Sequence, residues 1–206
     1  MIPNRKQTML FSATLSEKVT ELKSQLNIRP VVITIEAPKE SIDHIEQVAY
    51  MVTGASKGPF LRYLIKSQAI DRALVFVSSQ RTADNVVDKL KKNKINAIAI
   101  HGSKSQNARM EGLDAFKSGK NQIMVATDLI GRGIHIEGLS VVINYELPRS
   151  PLDYVHRIGR TGRALEHGKA ITLITEEELT HFNLIQKKMG KKVTIIPTDD
   201  VNLHGY

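Results

Sequence analysis

The chain of 206 residues contains no cysteine, so disulfide bonds and thiolate metal sites are excluded. It has no apolar run of the roughly 20 residues that a membrane-spanning helix needs. Residues 1–7 lack the apolar core of a secretory signal. The histidines never fall at the paired i, i+4 spacing of a metal site, and there is no internal repeat. These absences predict a cytoplasmic protein without a membrane segment and without a metal site of its own.

The charge is unbalanced, with 29 lysines and arginines against 21 acidic residues and a formal net charge of +8. This surplus favours an anionic partner, and nucleic acid is the first candidate. Residues 156–163 read His-Arg-Ile-Gly-Arg-Thr-Gly-Arg, and only Asp153 lies close enough in sequence to neutralise them. Arginine forks hold phosphate oxygens, and glycine lets the backbone approach a ligand. The group therefore predicts contact with a polyphosphate.

Short β-rich runs alternate with helical patterns from residue 47 onward. The predicted strands are Gln47–Val52, Ala73–Val77, Asn96–Ile100, Gln122–Ala126, Ser140–Asn144 and Lys169–Ile174. Several of them are almost continuous in Val, Ile, Leu and Ala, which is typical of strands buried on both faces. Between them lie helix signals such as a cap at Ser105 and stops at Gly119 and Gly190. The alternation predicts an α/β fold with a doubly wound, mostly parallel sheet and helices on both faces.

The first 46 residues follow a different pattern. Gln7–Phe11 and Val31–Ile35 are predicted strands, with a helix from about Ser16 to Leu26 between them. Residues 36–46 are polar and predict a linker. Because two strands and one helix are too few for an independent core, we expect residues 1–35 to be the end of one domain. Residues 47–206 would form the next.

Polar residues follow four of the predicted strands. Open parallel sheets bind ligands beyond the carboxyl ends of their strands, so these positions define a candidate site. Taken alone, Ser78 or Ser79 is more often a helix cap, Gly102 can simply form a turn, and Arg132 is usually a solvated side chain. Their common edge instead predicts a surface that grips phosphates and sugars without reading bases.

These residues resemble the second RecA-like domain of the DEAD-box family of ATP-dependent RNA helicases, over about residues 45–195. Residues 156–163 carry the most specific match, because related helicase families usually open this motif with Gln rather than His. Further similarity lies in residues 75–79 (motif IV), 105–109 (the Gln-x-x-Arg block), 126–133 (motif V) and 11–14 (motif III, Phe-Ser-Ala-Thr).

The resemblance implies a role for each motif. Arg160 and Arg163 would act as arginine fingers on ATP, which the first RecA-like domain holds together with Mg²⁺. The residues implied in nucleotide contact or coupling between the domains are His156, Arg157, Ser12, Thr14, Asp128 and His135. The residues implied in RNA contact are Ser78, Ser79, Gly102, Gln106, Arg109, Thr127, Gly131, Arg132 and Gly133.

The spacing within the arginine motif suits these roles. Arg157 and Arg160 stand at i, i+3, which would place them on one face of a helix. Gly162 would then break the helix, so that Arg163 faces the same ligand.

Two features limit what the resemblance implies. The chain contains neither a Gly-x-x-x-x-Gly-Lys-Ser/Thr loop nor an Asp-Glu-Ala-Asp sequence, which in this family belong to the first domain. The chain alone is therefore expected to be inactive. His135 stands where the family usually has an Asp that meets the ribose, so its part in nucleotide binding is left open. A DNA-directed helicase or translocase of the same superfamily and a non-catalytic RNA-binding module are the alternatives.

Overall fold

The computed structural model describes residues 9–11, 21, 22, 24, 31–33, 42–128, 139–162 and 168–206. The chain separates into two compact units, Met1–Lys39 and Glu40–Tyr206. Within the described part of the chain, no helix has the length and apolar character needed to cross a bilayer.

The predicted helix of the first unit agrees with the structure where it is described, since Glu21, Leu22 and Ser24 are helical. The strand predictions are wrong at the residues that can be checked. Residues 9–11 and 31–33 are not in a sheet, and Val31 is 90% exposed. An apolar run forms a strand only where a neighbouring strand pairs with it, and the sequence pattern does not reveal that partner.

The second unit is an α/β fold built from alternating strands and helices. Its strands are Ile45–Met51 (β1), Ala73–Val77 (β2), Ala97–Ile100 (β3), Ile123–Thr127 (β4), Val141–Asn144 (β5), Gly168–Ile174 (β6) and Thr194–Pro197 (β7). Its helices are Lys57–Ser67 (α1), Gln80–Lys92 (α2), Gln106–Lys117 (α3), Pro151–Ile158 (α4) and Leu179–Met189 (α5), with a short 3₁₀ helix at Glu176–Glu178.

The seven strands form one sheet in the order β3-β4-β2-β5-β6-β1-β7. Every strand pair in the described residues is parallel, so the sheet is more regular than the mostly parallel one predicted. In the centre, Val75 of β2 lies opposite Val125 of β4 and Ile143 of β5. Parallel pairing brings the carboxyl ends of all these strands to one edge.

The core lies on both faces of the sheet. All five residues of β2 are buried, and its side chains alternate between two clusters. Val75 and Val77 pack with Phe60 of α1 and Val86 of α2 on one face. On the opposite face, Phe76 packs in one cluster with Phe116 of α3. Phe182 of α5 belongs to a second cluster on that face. The doubly wound architecture predicted from the alternation is confirmed.

Two boundaries differ from the prediction. Strand β1 begins at Ile45, which is 2% exposed, so the last two residues of the predicted linker belong to the sheet. Strand β7 was not predicted, because it is a four-residue, largely exposed edge strand that ends in Pro197. Proline is tolerated in a sheet mainly at such an edge, and it conceals the strand from a propensity argument.

The helix signals agree with the observed termini. Ser105 accepts a hydrogen bond from the Ala108 backbone N–H at 3.2 Å and so caps α3. Gly119 and Gly190 follow α3 and α5 with φ of 78° and 75°, in the left-handed region that favours glycine. Ser105 thus marks where α3 begins, and the two glycines mark where the chain leaves α3 and α5.

We predict that Phe116→Ala destabilises the fold by about 3–5 kcal/mol, because the ring is fully buried and its removal leaves a cavity. The measurement is urea unfolding followed by circular dichroism. Met110→Ala is the matched control, since this side chain lies on the same helix but is 50% exposed. Similar losses in the two variants would contradict the assignment of α3 to the core.

Candidate functional site

The carboxyl edge of the sheet carries the polar residues that the sequence analysis singled out. Ser78 follows β2, Gly102 follows β3, Thr127 ends β4, and α4 follows β5. Ser78 and Gly102 are exposed and Thr127 is half-buried. The structure therefore brings residues separated by up to 80 positions to one edge.

Arg157 on α4 is the central cation of this edge, and it is 2% exposed. Its Nε and Nη2 atoms donate to the two carboxylate oxygens of Asp128 at 2.6 and 2.9 Å. Its Nη1 atom donates to Asn144 Oδ1 at 3.1 Å and to the Glu146 backbone oxygen at 2.6 Å. The guanidinium also lies 5.1 Å from the centre of the Phe76 ring. A buried charge is tolerated when it is paired and hydrogen-bonded in this way.

The network continues into the sheet beneath Arg157. Asn144 donates to the Thr172 hydroxyl at 3.3 Å, and the Tyr154 hydroxyl lies 3.1 Å from the same oxygen. Burial raises the pKa of Tyr154 to about 12, against the opposing effects of Thr172 and Arg157. The phenol therefore remains protonated and available as a donor. Helix α4 is thus tied to β4, β5 and β6 by polar contacts as well as by packing.

This arrangement corrects two expectations about the arginine motif. Asp153 is the only acidic residue close to the motif in sequence. The carboxylate that pairs with Arg157 is instead that of Asp128, 29 positions before it. Arg157 and Arg160 also do not share a helix face, because α4 ends at Ile158. Arg160 lies in the following turn, half-buried, and its Nε donates to the His156 backbone oxygen at 3.2 Å. Arg157 faces its own domain, so a direct contact of its side chain with nucleotide does not fit its burial.

The turn after α4 is anchored at Thr161 and Gly162. The Thr161 hydroxyl reaches the backbone oxygens of Leu139 and Ser140 at 2.5 and 2.9 Å. Gly162 has φ of 66°, and a Cβ there would lie 2.9 Å from the His44 ring. Both the left-handed backbone and the close approach require glycine. Gly162 does adopt the left-handed backbone, but the prediction that it breaks the helix is wrong, because α4 has already ended at Ile158.

His156 is half-buried, and its Nδ1 atom is buried without a hydrogen-bond partner in the part of the chain that the structure describes. Buried ring nitrogens are normally hydrogen-bonded, so this atom is one of the few that call for a partner. Ser12 and Thr14, which the family resemblance linked to His156, lie outside the described residues.

The loop after β2 is fixed at both of its predicted RNA-contact residues. Ser79 caps α2 by accepting from the Thr82 backbone N–H at 3.0 Å. The Ser78 backbone N–H donates to the Glu146 carboxylate at 2.6 Å. Both serines are exposed, so Ser79 serves as a helix cap while its neighbourhood stays open to solvent. Glu146 thereby links this loop to the Arg157 network through its backbone oxygen.

The loop after β3 is held by a buried histidine. His101, 1% exposed, contacts the Asp84 carboxylate of α2 at 3.1 Å through Nε2 and the Ser103 hydroxyl at 2.8 Å through Nδ1. Lys104 lies 3.0 Å from the same carboxylate. Burial opposes ionisation of Asp84, but the hydrogen bonds from His101 and Lys104 outweigh it and lower the pKa. These contacts fix the loop that carries Gly102.

Gln106 and Arg109 lie on the first turn of α3, and the Arg109 guanidinium donates to the Gln106 side-chain oxygen. Arg109 Nε is buried and has no hydrogen-bond partner within the described ranges of the chain. The remaining predicted site residues, Gly131, Arg132, Gly133, His135 and Arg163, lie outside the described residues.

Asn144, Glu146 and Asp84 were missed by the sequence analysis, although each one organises the edge. One signal for Asn144 was available, since it is an amide at the end of an otherwise apolar strand. Glu146 and Asp84 carry no comparable signal, because their partners are distant in sequence.

We predict that Asp128→Ala lowers the free energy of unfolding by about 3 kcal/mol or more, because it leaves the buried Arg157 charge without its bidentate partner. Urea unfolding is the measurement. The control is Asp88→Ala, which removes an exposed carboxylate of α2 and should change stability by less than about 0.5 kcal/mol. In the double variant Asp128→Ala/Arg157→Met the loss should be smaller than the sum of the single losses, and strict additivity would show that the pair is not coupled.

Comparison with known proteins places this arrangement in a family. Residues 56–165 match the model of the helicase conserved C-terminal domain, which is more than half of the chain. The chain is 39% identical over 189 residues to the ATP-dependent RNA helicase RhlB of Pseudomonas syringae, covering 92% of this chain and 48% of the relative. It is 32% identical over 200 residues to the probable ATP-dependent RNA helicase DDX47 of Mus musculus, covering 97% of this chain and 44% of the relative.

Solved structures agree with these relatives. The C-terminal domain of the DEAD-box protein Dbp5 superimposes with a TM-score of 0.73 at 32% identity, over 78% of this chain and 94% of that domain. Dbp5 of S. cerevisiae bound to RNA and ADP BeF3 superimposes with a TM-score of 0.79 at 31% identity, over 97% of this chain and 53% of Dbp5. The chain spans about half the length of the curated relatives it matches. It belongs to the DEAD-box RNA helicase family and carries that family's C-terminal, RecA-like helicase domain.

Proposed function

We propose that this chain is the C-terminal half of an ATP-dependent RNA helicase, which contributes arginines to ATP and a phosphate-gripping edge to RNA. The observation that carries the proposal is the Arg157–Asp128 pair, which secures the helix that leads directly into the turn with Arg160. An arginine acts on a developing charge only when its backbone is already in place. In this proposal Arg157 orients and Arg160 acts.

Arg160 and Arg163 would neutralise negative charge on the terminal phosphate of an ATP held by a separate domain. Arginine fingers contribute on the order of 10³–10⁵ in rate in comparable nucleotide hydrolases. Among the described residues no three acidic or histidine side chains cluster in a way that suits a metal ion. The proposal therefore gives this chain no ligand to Mg²⁺ and assigns the metal to the same separate domain as the ATP.

RNA would lie along the carboxyl edge of the sheet. The donors there are hydroxyls, backbone amides and the Arg109 guanidinium, which suit phosphate and ribose rather than base edges. The structure of Dbp5 with RNA and ADP BeF3, which covers nearly this whole chain, supports RNA as the class of ligand. We further assign Gly131, Arg132 and Gly133 to this surface, on the motif match alone. Little preference for RNA sequence is expected.

Residues 1–35 are proposed to be the last elements of the ATP-holding domain, with residues 36–44 as the connection. His156 would then couple the two domains through Ser12 and Thr14, and its buried, unpartnered Nδ1 supports this role. Binding of ATP and RNA would favour the closed arrangement of the domains, and loss of the products would reopen it. Local opening of a short duplex accompanies this cycle.

His135 replaces the usual Asp of motif V. An imidazole can hydrogen-bond a hydroxyl but supplies no carboxylate, so we propose that the ribose contact is weaker here than in relatives with Asp.

The 206-residue chain alone is predicted to release no phosphate from ATP above background, with or without RNA. The reason is that its sequence contains neither the phosphate loop nor the acidic tetrad of the family. Phosphate release by the purified chain is the measurement, and robust turnover would overturn the division of labour between two domains.

In the protein that includes the ATP-holding domain, Arg160→Ala and Arg163→Ala are each predicted to lower RNA-stimulated kcat by at least about 100-fold, because the developing phosphate charge loses its cation. RNA affinity, measured by fluorescence anisotropy, should change by less than about threefold. Lys187→Ala is the matched control, since it removes an exposed cation from the end of α5.

Equal losses in kcat and in RNA affinity would mean that these arginines mainly hold RNA. The same assay run with single-stranded DNA separates the DNA-directed alternative, which requires DNA to stimulate at least as strongly as RNA.

A further inference from the structure

A cavity of about 410 Å³ lies beside the N-terminal half of α1, and none of the residues assigned above to ATP or RNA lines it. Its walls come from α1, α2, the residues that follow β5 and the 3₁₀ helix. Leu61, Val86 and Leu90 form the apolar part of the lining. The volume is in the range of pockets that bind small molecules, which are about 300–1,000 Å³.

Arg62 is the unusual residue of this lining. It is only 8% exposed, and its Nε atom is buried without a hydrogen-bond partner among the described residues. Within residues 42–128, 139–162 and 168–206 no carboxylate forms an ion pair with it. A largely buried arginine side chain is stabilised by an anion, and Arg157 in the same domain is paired with a bidentate carboxylate. No carboxylate of the described residues supplies such an anion to Arg62.

Other donors converge on the same point. A Cβ placed on Gly58 would lie 3.6 Å from Arg62 Nη1 and 3.8 Å from the Tyr145 hydroxyl. Burial, together with the neighbouring Glu146, raises the pKa of Tyr145, so its hydroxyl stays protonated and can donate. Gly58 is also in the first turn of α1, which contains no acidic residue and has no side-chain cap. The partial positive charge of this helix end favours an anion.

The remaining charges of the lining limit the size of that anion. Lys57 is paired with Glu178 at 2.8 Å, and the Glu146 carboxylate is occupied by the Ser78 backbone N–H. Lys89 also lines the cavity, but it is an exposed cation that solvent can stabilise. Glu177 is exposed at the cavity and repels an extended polyanion such as an RNA strand. A single negative group matches the one buried cation that lacks a partner.

We propose that this cavity binds a small organic anion, whose one carboxylate or phosphate group pairs with Arg62 while its apolar body lies against Leu61 and Val86. The Tyr145 hydroxyl and the first turn of α1 complete the oxyanion contacts. The cavity shares no lining residue with the surfaces proposed for ATP and RNA, although its Thr82 and Glu146 bond to Ser79 and Ser78 of the proposed RNA surface.

Benzoate and phenyl phosphate are suitable probes, because each one joins a single oxyanion to an aromatic body. Benzamide is the neutral control of matched shape. With the 206-residue chain, at least one of the two anions should raise the melting temperature saturably at concentrations up to about 10 mM, whereas benzamide should not. The stronger anion identifies which oxyanion the site prefers.

Arg62→Gln should weaken the Kd of that probe by about 10- to 100-fold, as measured by calorimetry, because a charge-assisted bidentate contact is lost. Lys66→Gln is the control, since Lys66 is an exposed cation on the same helix outside the cavity. It should leave Kd within about twofold.

Changes at Gly58 keep the proposal testable where Arg62→Gln fails to fold. The ordinary contact distances around this position leave room for a side chain. Gly58→Glu should place a carboxylate beside Arg62 and raise the melting temperature above that of Gly58→Gln. It should also abolish the probe-dependent shift that Gly58→Ala retains.

Three results would overturn the proposal. The first is the absence of any shift with both anions, and the second is an equal Kd in Arg62→Gln and the parent chain. The third is competition by a short single-stranded RNA, together with an equal loss of RNA and probe affinity in Arg62→Gln. That last outcome would assign the cavity to the RNA path.

Discussion

The burial of one guanidinium organises the functional edge of this domain. Arg157 donates four hydrogen bonds to a strand end, a strand amide and a loop carbonyl, and so joins α4 to β4 and β5. Because a guanidinium is planar, these bonds fix its orientation as well as its position. Helix α4 cannot roll without breaking several of them at once. The position of α4 therefore defines where the following turn begins. The hydrogen bonds of Thr161 fix the far end of that turn.

The parallel sheet explains why so many polar groups meet at this edge. Each crossover returns the chain to the edge of the sheet where the strands begin. Every strand therefore ends at the opposite, carboxyl edge. The strand interiors are apolar because both faces are covered by helices. Hydroxyls, amides and charges are consequently excluded from the layer between the helices and collect where the strands end. Glu146 then connects two neighbouring loops, and His101 connects the loop after β3 to α2, which makes the edge one organised surface.

The sequence predicts those parts of the fold that depend on the local pattern of residues. The five apolar residues of β2 and the caps at Ser79 and Ser105 are local features, and the structure agrees with them. The pattern did not identify strand β7, and it wrongly predicted a strand at residues 31–33. Pairing with a distant segment decides whether either segment forms a strand. The pattern also placed Arg157 and Arg160 on one face, since it could not show that α4 ends at Ile158. The polar residues of the candidate site lie at the strand ends as predicted, but the contacts of Asn144 and Glu146 with them are visible only in the structure.

The arginines of the motif divide by what surrounds them. Arg157 is 2% exposed and four of its five N–H donors are bonded within its own domain, which supports the proposal that it orients α4 rather than binding a ligand. Arg160 differs because the helix has ended, and its backbone is a turn held by Arg157 on one side and by Thr161 on the other. The same reasoning separates Arg62 from Arg157. Both are buried on this domain, but only Arg157 has a carboxylate from its own chain in the described residues. A buried cation that the fold supplies with an anion is structural, whereas one that faces a cavity without an anion marks a place where a ligand can supply it.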